Sequence, residues 1–587
     1  MRFWFVLLLL GLSDLLGGQS PLPQHLTNNE RQQLGFYTPP APGNEVLIDP
    51  PTAPVRTMAE WEELQAIVVT WPFNVTAWRP LLRDIVAAAA EEVTVYIVCA
   101  SANQITAYLN QQNVSLDHIE LIEADYNTVW VRDYGPNTIY TNAVDSLHLV
   151  DWIYNRPRPA DDRLPERLAE ELDLDVYATT EAPTDLVHTG GNFMADGMGT
   201  GFSSDLVLDE NDQTNPFGQS NHDSAAVHQL MRDFMGIERY ALFGALPYDG
   251  INHIDMHMKL LDEETLLVAE FPEGVSDGPA IEANLAYLQD NFLTPYGNPY
   301  RIVRIPQPPC ENGLYPPFCQ YGAEYRTYTN ALFVNKTILV PVYLTPLDAP
   351  ALDAWRNAMP GYRVVGIDCR DIITYGGAIH CITKEIGVND PLLINHATTS
   401  PLCANGPTEL VAEVRHRSGI EAVELHYRTP GTDWQFLPMT ATDTDHTYRA
   451  AFTAPPATDS IHYYFRAQAT SGKSVVRPLP APVGYFARAT EVCAVNTEAA
   501  AALRAVRIQP NPTRGPVQVL VELPIAQRIS PTLTDVLGRV VWRGPEEQLP
   551  PGEHRLSYDW SGLATGNYQL ALRTARGVVA RSVAVLP

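Results

Sequence analysis

Residues 55 to 400 contain a loose repeat, and this repeat constrains the fold more than any other feature of the chain. Each repeated unit begins with a short polar motif and continues with two strand-like runs joined by a turn. The motifs begin near positions 132, 188, 253, 329 and 377, and helical stretches such as SAAVHQLMRDFM lie between them. A unit of ββα size cannot bury its apolar face alone. The repeat therefore predicts an α/β fold in which the units pack around a shared axis and bring their motifs together.

Four hairpins of this repeat can be identified directly, because turn-forming residues separate their strand-like runs. They are NTIY-TNAVDS-LHLVDW, GGNFMA-DGMG-TGFSSD, MHMKLL-DEET-LLVAEF and NALFV-NK-TILVPVY. We expect each motif to lie at the start of its hairpin.

The pattern changes after Pro401 to short alternating strands at the spacing of a β-sandwich, which predicts an immunoglobulin-like module of about 90 residues. The last block again shows short strands punctuated by Gly and Pro. We therefore expect a catalytic domain over residues 21–400, an immunoglobulin-like domain over 401–495 and an all-β domain over 496–587.

The first 20 residues have the composition of a secretory signal peptide, with an apolar run from Phe3 to Leu12 and small residues suited to cleavage near Gly18–Ser20. A membrane anchor needs about 20 apolar residues, and Asp14 interrupts this run too early. We expect an exported chain, soluble or attached to a surface. Its formal net charge of −29 argues against nucleic acid as a partner, because the protein as a whole would repel phosphates.

Seven cysteines in an exported chain permit disulfides and leave at least one thiol without an intramolecular disulfide partner. Cys310 and Cys319 flank a Pro-rich loop, and Cys403 and Cys493 bracket a later segment. We expect these two pairs, although six cysteines allow 15 connectivities.

Four residues in the motifs point to chemistry at a thiol. Cys381 lies in TYGGAIHCITK, His253 and Asp255 lie two apart in INHIDMHMK, and Asp133 follows an apolar, strand-like run in VWVRDYGP. A thiol is a useful nucleophile as the thiolate, so it needs cationic or hydrogen-bonding help. A guanidinium held by two carboxylates supplies such a field and carries an electrophilic carbon, and histidine can protonate the departing nitrogen. Each residue alone is more often structural.

A zinc site at His253 and His257 is an alternative interpretation of the same segment. The metalloprotease helix motif has Glu after the first His, where this chain has Ile254, and the alternating residues predict a strand, in which positions i and i+4 lie about 13 Å apart. We expect no metal here.

The five motifs resemble those of the pentein superfamily, and within it the bacterial peptidylarginine deiminase and agmatine deiminase group. The resemblance rests on WVRDYGP, HTGGNFMADGMGTGFSSD, NHIDMHMK, YTNALFVNKTILVP and GGAIHCITK, in the family's order. It implies a five-bladed α/β propeller with a central site, with Cys381 as nucleophile, His253 as acid and base, and Asp133 and Asp255 as guanidinium clamps. It also implies that Asn330 holds the substrate or His253. The group implies no cofactor and no calcium activation.

The segment NRPRP places Arg156 and Arg158 before prolines, which keeps the chain extended and lets both guanidinium groups point the same way. Ion pairs with Asp161 and Asp162 are the structural alternative. NRPRP also resembles the segment by which secreted bacterial peptidylarginine deiminases bind the terminal carboxylate of their substrate. The resemblance implies that these two arginines bind substrate.

The last block resembles the type IX secretion sorting domain through PNPTRG, DVLGRVV and LATGNYQLAL, although Arg581 replaces the family's usual lysine. This resemblance implies the type IX machinery as a partner and a destination outside the cell or on the outer-membrane surface.

Together these features predict a secreted hydrolase that converts peptidyl arginine, at the C-terminus of its substrate, to citrulline and ammonia. Its partners would be arginine-containing peptides or proteins. An agmatine deiminase shares every core motif and is the first alternative. A non-catalytic surface adhesin is the second, favoured by the immunoglobulin-like module and disfavoured by the intact set of Cys, His and Asp.

Overall fold

The computed structural model describes residues 21–586, apart from 44, 213–215, 219, 323, 399–401, 405–406, 457–459, 492–504, 524, 536–539 and 575–576. The predicted signal peptide, residues 1–20, and Cys493 lie outside the described residues, so the signal peptide and the disulfide to Cys403 stay predictions.

Five sheets make up the first part of the chain, and four of them repeat one order of elements. In each of the four, an antiparallel hairpin is followed by a helix and then by a strand parallel to the second strand of the hairpin. The strands are Asn137–Thr141, Leu147–Tyr154 and Val176–Thr179; Met194–Ala195, Thr200–Ser204 and Arg239–Phe243; Met258–Asp262, Thr265–Glu270 and Arg301–Pro306; Leu332–Val334, Thr337–Val342 and Arg363–Asp368. Val55–Thr57 and Val187–His188 join the first of these sheets.

The fifth sheet joins the two ends of this region. Its strands, in order across the sheet, are Lys384–Gly387, Leu64–Thr70, Thr94–Cys99 and Ile119–Glu123. The C-terminal strand of the region, Lys384–Gly387, pairs antiparallel with Leu64–Thr70. In the other four sheets the two strands of this antiparallel pair are adjacent in sequence. Residues more than 300 positions apart are therefore neighbours in one sheet.

The helices between strands explain the parallel pairing, because a parallel neighbour requires a crossover connection. They are Arg79–Ala89, Ala102–Gln111, Leu164–Leu172, Ser224–Met235, Gly278–Asn291 and Asp348–Ala358. Ser224–Met235 shows the local logic: the Asp223 side chain accepts from the Ala226 amide at the helix start, and Val227, Met231 and Phe234 form a buried stripe at helical spacing.

The four predicted hairpins are confirmed, but two local predictions were wrong. The units carry a third strand after the helix, which the ββα prediction omitted. The segments around Asp133 and His253, predicted as strands, contain the short helix Val131–Tyr134 and the 3₁₀ turn Ile254–Met256. Over three or four residues, periodicity does not separate a strand from a helical turn.

The rest of the chain is rich in strands, as the prediction of two further β domains requires. One pair of sheets contains Leu393–Asn395, Pro407–Arg415, Thr447–Thr453 and Thr440–Ala441 facing Leu402–Cys403, Phe486–Glu491, Ser460–Ala469, Ile420–Arg428, Gln435–Pro438 and Ser474–Arg477. A second pair contains Ala505–Gln509, Pro516–Leu523 and Gly552–Asp559 with Val540–Arg543, Gln527–Asp535, Gly566–Thr574, Gly577–Val585 and Glu547–Leu549. Leu393–Asn395 lies upstream of the predicted boundary at 401 yet pairs with Pro407–Arg415.

Separate apolar cores support these parts of the chain. The largest core includes Trp71, Trp130 and Trp355, and distinct clusters run from Leu392 to Ala469 and from Val506 to Val585. The predicted disulfide between Cys310 and Cys319 is confirmed. No helix in the described part of the chain has the length and apolar character needed to cross a membrane.

Candidate active site

Each polar motif forms a short turn directly before its hairpin, and the turns point their polar side chains at one another. Four turns are helical: Val131–Tyr134, Gly190–Asn192, Ile254–Met256 and His380–Ile382. The fourth motif in sequence is a loop that ends at Asn330, before the strand Leu332–Val334. The structure therefore brings together the five predicted core residues, namely Asp133, His253, Asp255, Asn330 and Cys381, all of which are buried.

The thiol of Cys381 is positioned by an amide and faces a carboxylate. Asn330 Nδ2 lies 3.1 Å from Cys381 Sγ, and Asp255 Oδ2 lies 3.6 Å from the same sulfur. Asn330 Oδ1 accepts from the backbone amide of His380 at 3.0 Å, which fixes the side chain of Asn330. The side-chain amide of Asn330 thus contacts Cys381 and not His253, and the predicted role of Asn330 in holding the substrate stays a prediction.

Burial raises the pKa of the Cys381 thiol well above its ordinary value, and the negative charges of Asp255 and Asp133 add to this. A cation placed between the two carboxylates would offset their charge and favour the thiolate. A cation bound here could therefore turn Cys381 into a nucleophile.

The two acids present acceptors to such a cation. Asp133 Oδ1 accepts from the Gly191 amide at 3.3 Å, and Asp255 Oδ2 lies 2.8 Å from His380 Nδ1. Asp255 Oδ1 is buried and has no hydrogen-bond donor among the described residues. A buried acceptor without a donor is costly, and a guanidinium supplies donors in the paired geometry that carboxylates prefer.

Two glycines keep the space beside these groups open. A Cβ on Gly191 would lie 2.6 Å from His253 Nδ1 and 2.9 Å from Asp133 Oδ1, and one on Gly377 would lie 2.8 Å from Cys381 Sγ. Distances below 3.0 Å are not tolerated by real side chains. Close approach to His253, Asp133 and Cys381 thus explains the second glycine of each Gly-Gly pair, Gly191 and Gly377.

His253 is placed to exchange protons as a neutral base. Its Nε2 lies 3.1 Å from Thr189 Oγ1, and its Nδ1 lies 3.5 Å from Asp133 Oδ1. Burial lowers the pKa of His253, and the charge of Asp133 opposes that shift only in part. The imidazole is therefore neutral near pH 7 before a substrate binds. The described residues contain no cluster of three or more His, Cys, Asp or Glu side chains placed to hold a metal ion.

Sequence reasoning missed a group of residues that holds Asp255 in place. His380 bridges Asp255 and Glu60, with its Nε2 3.1 Å from Glu60 Oε2. Although burial opposes ionisation of Glu60, the neighbouring His380 and Lys259 hold its pKa well below the ordinary value. His380 precedes the nucleophile within a quoted motif and could have been found there, whereas Glu60 lies outside all five motifs.

Arg156 and Arg158 are both buried and border the same cleft. The extended conformation predicted for NRPRP is wrong, because the chain bends at residues 155–157 and the Arg158 amide donates to the Arg156 carbonyl at 2.8 Å. No ion pair joins either arginine to Asp161 or Asp162 in the described part of the chain. Asp161 instead accepts from the Thr128 hydroxyl and Asp162 from the Tyr154 amide. The alternative prediction, ion pairs of these arginines with Asp161 and Asp162, is therefore wrong.

A segment from the N-terminal end of the described chain occupies this cleft. Gln24 is fully buried, and its Nε2 lies 2.9 Å from Asp133 Oδ2. The backbone carbonyl of the same residue accepts from Arg156 Nε at 2.8 Å. Arg158 forms an ion pair of 2.7 Å with Glu30. The segment of residues 24–30 therefore contacts one of the two predicted guanidinium-binding acids, Asp133, and both members of the arginine pair, Arg156 and Arg158.

The comparisons with known proteins agree with this geometry. The model of the Porphyromonas-type peptidyl-arginine deiminase family matches residues 56–386, more than half of the chain. A protein of Shewanella baltica (strain OS185), provisionally named an agmatine deiminase, is 26% identical over 361 residues, which cover 56% of this chain and 93% of that protein.

Solved structures match the same region. One, provisionally described as an agmatine deiminase, is 20% identical, has a TM-score of 0.51, and is matched over 59% of this chain and 100% of its own. The agmatine deiminase of Enterococcus faecalis is also 20% identical, with a TM-score of 0.48 and coverage of 56% and 95%.

A buried thiol, two carboxylates and a histidine on this pentein fold define a deiminase, a hydrolase that acts on the C–N bonds of amidines. The chain belongs to the Porphyromonas-type peptidyl-arginine deiminase family.

Proposed function

We propose that this protein converts arginine at the C-terminus of peptides and proteins to citrulline, with release of ammonia. The observation that carries the proposal is the way in which Gln24 lies in the cleft. Its side-chain amide is held by Asp133 while its own carbonyl oxygen is held by Arg156. One residue therefore spans the acid clamp and the arginine pair.

An arginine residue bound in the same way would place its guanidinium between Asp133 and Asp255 and its main-chain carbonyl on Arg156. If that arginine is the last residue of a peptide, the carbonyl becomes a carboxylate, which pairs with a buried guanidinium more strongly than a neutral oxygen does. Agmatine carries no carboxylate to pair with Arg156. The arginine pair thus favours a peptide substrate.

In the first chemical step, the proton of the Cys381 thiol passes to His253 and the thiolate attacks the guanidinium carbon. A C–S bond forms, and the negative charge of the thiolate neutralises the guanidinium, so the tetrahedral adduct carries no net charge. His253 then gives its proton to one terminal nitrogen, which leaves as ammonia as the C–N bond breaks. The product of this step is a thiouronium joined to Cys381.

In the second step, water attacks the same carbon while His253 accepts one of its protons. Collapse of the adduct breaks the C–S bond and leaves the ureido group of citrulline. Of the two protons released from water, one restores the thiol and the other passes to solvent, where ammonia takes it up. Asp133 and Asp255 hold the cationic states of the substrate throughout.

We also infer that the five sheets of residues 55–387 are the five blades of the expected propeller. The sheet that pairs Lys384–Gly387 with Leu64–Thr70 supports this, because it joins the first and last units. Secretion through the signal peptide, and export by type IX machinery through residues 496–587, complete the proposal. The resemblance of PNPTRG and LATGNYQLAL supports the export step.

The test is to measure citrulline formation from a peptide that ends in arginine, from its C-terminal amide, from a peptide with internal arginine and from agmatine. The proposal requires the highest kcat/KM on the free acid. Agmatine as the best substrate would make the protein an agmatine deiminase, and turnover of none would favour the adhesin.

A further inference from the structure

Residues 21–30 fill the cleft that the proposed function assigns to the substrate. Their backbone is held along its length: Leu22 O accepts from Trp130 Nε1 at 3.1 Å, and the Gln24 amide donates to Tyr375 O at 2.8 Å. Pro23 O accepts from a side chain that the substrate would use, Arg158 Nη2, at 2.6 Å. The segment is therefore bound as an extended peptide ligand is bound, through its main chain.

The side chain of Gln24 lies where a reacting guanidinium would lie. Its Nε2 contacts Asp133 Oδ2 at 2.9 Å and His253 Nδ1 at 3.3 Å. A Cβ on Gly377 would meet both Gln24 Oε1 and Cys381 Sγ at 2.8 Å, so the amide oxygen and the sulfur border the same small space. An amide has no guanidinium carbon, so the deiminase reaction cannot proceed on it.

The carboxylate of Glu30 in this segment binds Arg158. Glu30 Oε1 accepts from Arg158 Nε at 2.7 Å, and a capping box with Thr27 at the start of the helix Asn28–Gln33 fixes the position of Glu30. Burial opposes ionisation of Glu30, but its hydrogen bond with Arg158 lowers its pKa below the ordinary value, so the carboxylate is charged. The segment thus occupies Asp133 and Arg156 with Gln24, and Arg158 with Glu30, which are groups that the proposed substrate would use.

We propose that residues 21–30 are a built-in pseudosubstrate, which holds the deiminase latent until the segment is removed or displaced. This inference rests on the proposed function, because it takes its meaning from a substrate that binds the same groups. It goes further by assigning the segment between the predicted signal peptide and the catalytic fold the role of an inhibitor.

Gln24 occupies the site but leaves some of its polar atoms without hydrogen bonds, so a substrate can displace it. Gln24 Oε1 and Asp255 Oδ1 are both buried without a hydrogen-bond partner among the described residues. An arginine side chain, with five donors, would satisfy Asp255 Oδ1. The segment therefore binds the site weakly by itself, and its covalent link to the chain keeps the site occupied.

Tethering makes a weak ligand effective. A short linker gives an effective concentration on the order of 1 mM, so a peptide with a dissociation constant of about 0.1 mM would leave roughly one site in ten open. Cutting the linker should raise activity about tenfold for such a peptide. The linker is the stretch between the segment and the first strand, which begins at Val55. A protease can reach it, because Ala41, Gly43 and Glu45 are exposed.

The experiment inserts a recognition sequence for a site-specific protease between Pro40 and Ala41 of the full-length protein. The cut and uncut forms are then compared by citrulline formation and by the rate at which iodoacetamide alkylates Cys381, with the buried Cys99 as internal reference. We expect both rates to rise about tenfold after cutting and gel filtration. Adding a synthetic peptide of residues 21–30 should reverse the gain, and the same peptide with Gln24→Ala should not.

Two point variants test the same inference in the uncut protein, where the result does not depend on dissociation of the segment. Gln24→Ala should accelerate alkylation of Cys381 in the uncut protein, whereas Gln32→Ala, an exposed position on the neighbouring helix, should leave it slow. Unchanged alkylation both after loss of the segment and in Gln24→Ala overturns the pseudosubstrate. Faster alkylation without citrulline from any substrate supports the block and overturns the proposed function instead.

Discussion

Asp255 Oδ2 lies 3.6 Å from Cys381 Sγ, so the proposed nucleophile faces a carboxylate in a buried site. This arrangement disfavours the thiolate while the site lacks a cation. In the proposed mechanism, a bound guanidinium would offset part of the negative charge of Asp255 and Asp133. The substrate would then help to activate the thiol that attacks it.

Activation of the Cys381 thiol by the substrate should be visible in the pH profiles of kcat and kcat/KM. Burial and the two acids raise the pKa of Cys381 in the free enzyme, so the thiolate forms only as pH rises through that raised value. The profile of kcat/KM reports the free enzyme and that of kcat the bound complex. We expect the acidic limb of kcat to lie at lower pH than that of kcat/KM. A kcat limb at the same or higher pH would contradict activation by the substrate.

Asp133→Asn and Asp255→Asn should each lower kcat/KM about 100-fold or more, because each replaces a charged acceptor of the guanidinium by an amide. Asp353→Asn is a matched control on an exposed helix, where the carboxylate pairs only with Arg356 among the described residues. A rate near that of the parent in either site variant would remove that acid from the clamp.

Arg156→Ala should cost about 2 to 4 kcal/mol of transition-state binding on a peptide that ends in arginine, the scale of a hydrogen-bonded charge pair broken in a buried site. The loss on the C-terminal amide of the same peptide should be smaller. Arg167→Ala, at an exposed helical position, is the control. Equal losses on acid and amide would show that Arg156 does not bind the carboxylate.

Deleting residues 496–587 should leave a folded and active deiminase that accumulates in the periplasm of its own host. The apolar cluster from Val506 to Val585 is separate from the catalytic core, so its removal exposes little of that core. The measurement is activity in periplasmic and extracellular fractions. Unchanged export would assign the tail another role.

Much of the site was predictable from sequence because the chemistry sits in short motifs that begin each hairpin. Asp133, His253, Asp255 and Cys381 could be selected by residue type and motif, and the turn residues between strands located the hairpins. The sheet that pairs Lys384–Gly387 with Leu64–Thr70 could not be predicted from local pattern, because its strands are distant in sequence.

Two features of the site depended on tertiary structure in the same way. Glu60 reaches Asp255 only through His380, and nothing in its local sequence indicates a buried, charged role. Gln24 lies in a segment without regular secondary structure or a recognisable motif. Its position became visible only through its contacts with Asp133 and Arg156.

The most direct test of the central claim is mass spectrometry of the protein quenched with acid during turnover of a peptide that ends in arginine. The account predicts that the peptide containing Cys381 gains the mass of the substrate less ammonia, and that Cys381→Ala forms neither adduct nor citrulline while Cys99→Ala behaves as the parent. Citrulline formation by Cys381→Ala at the parental rate would contradict it.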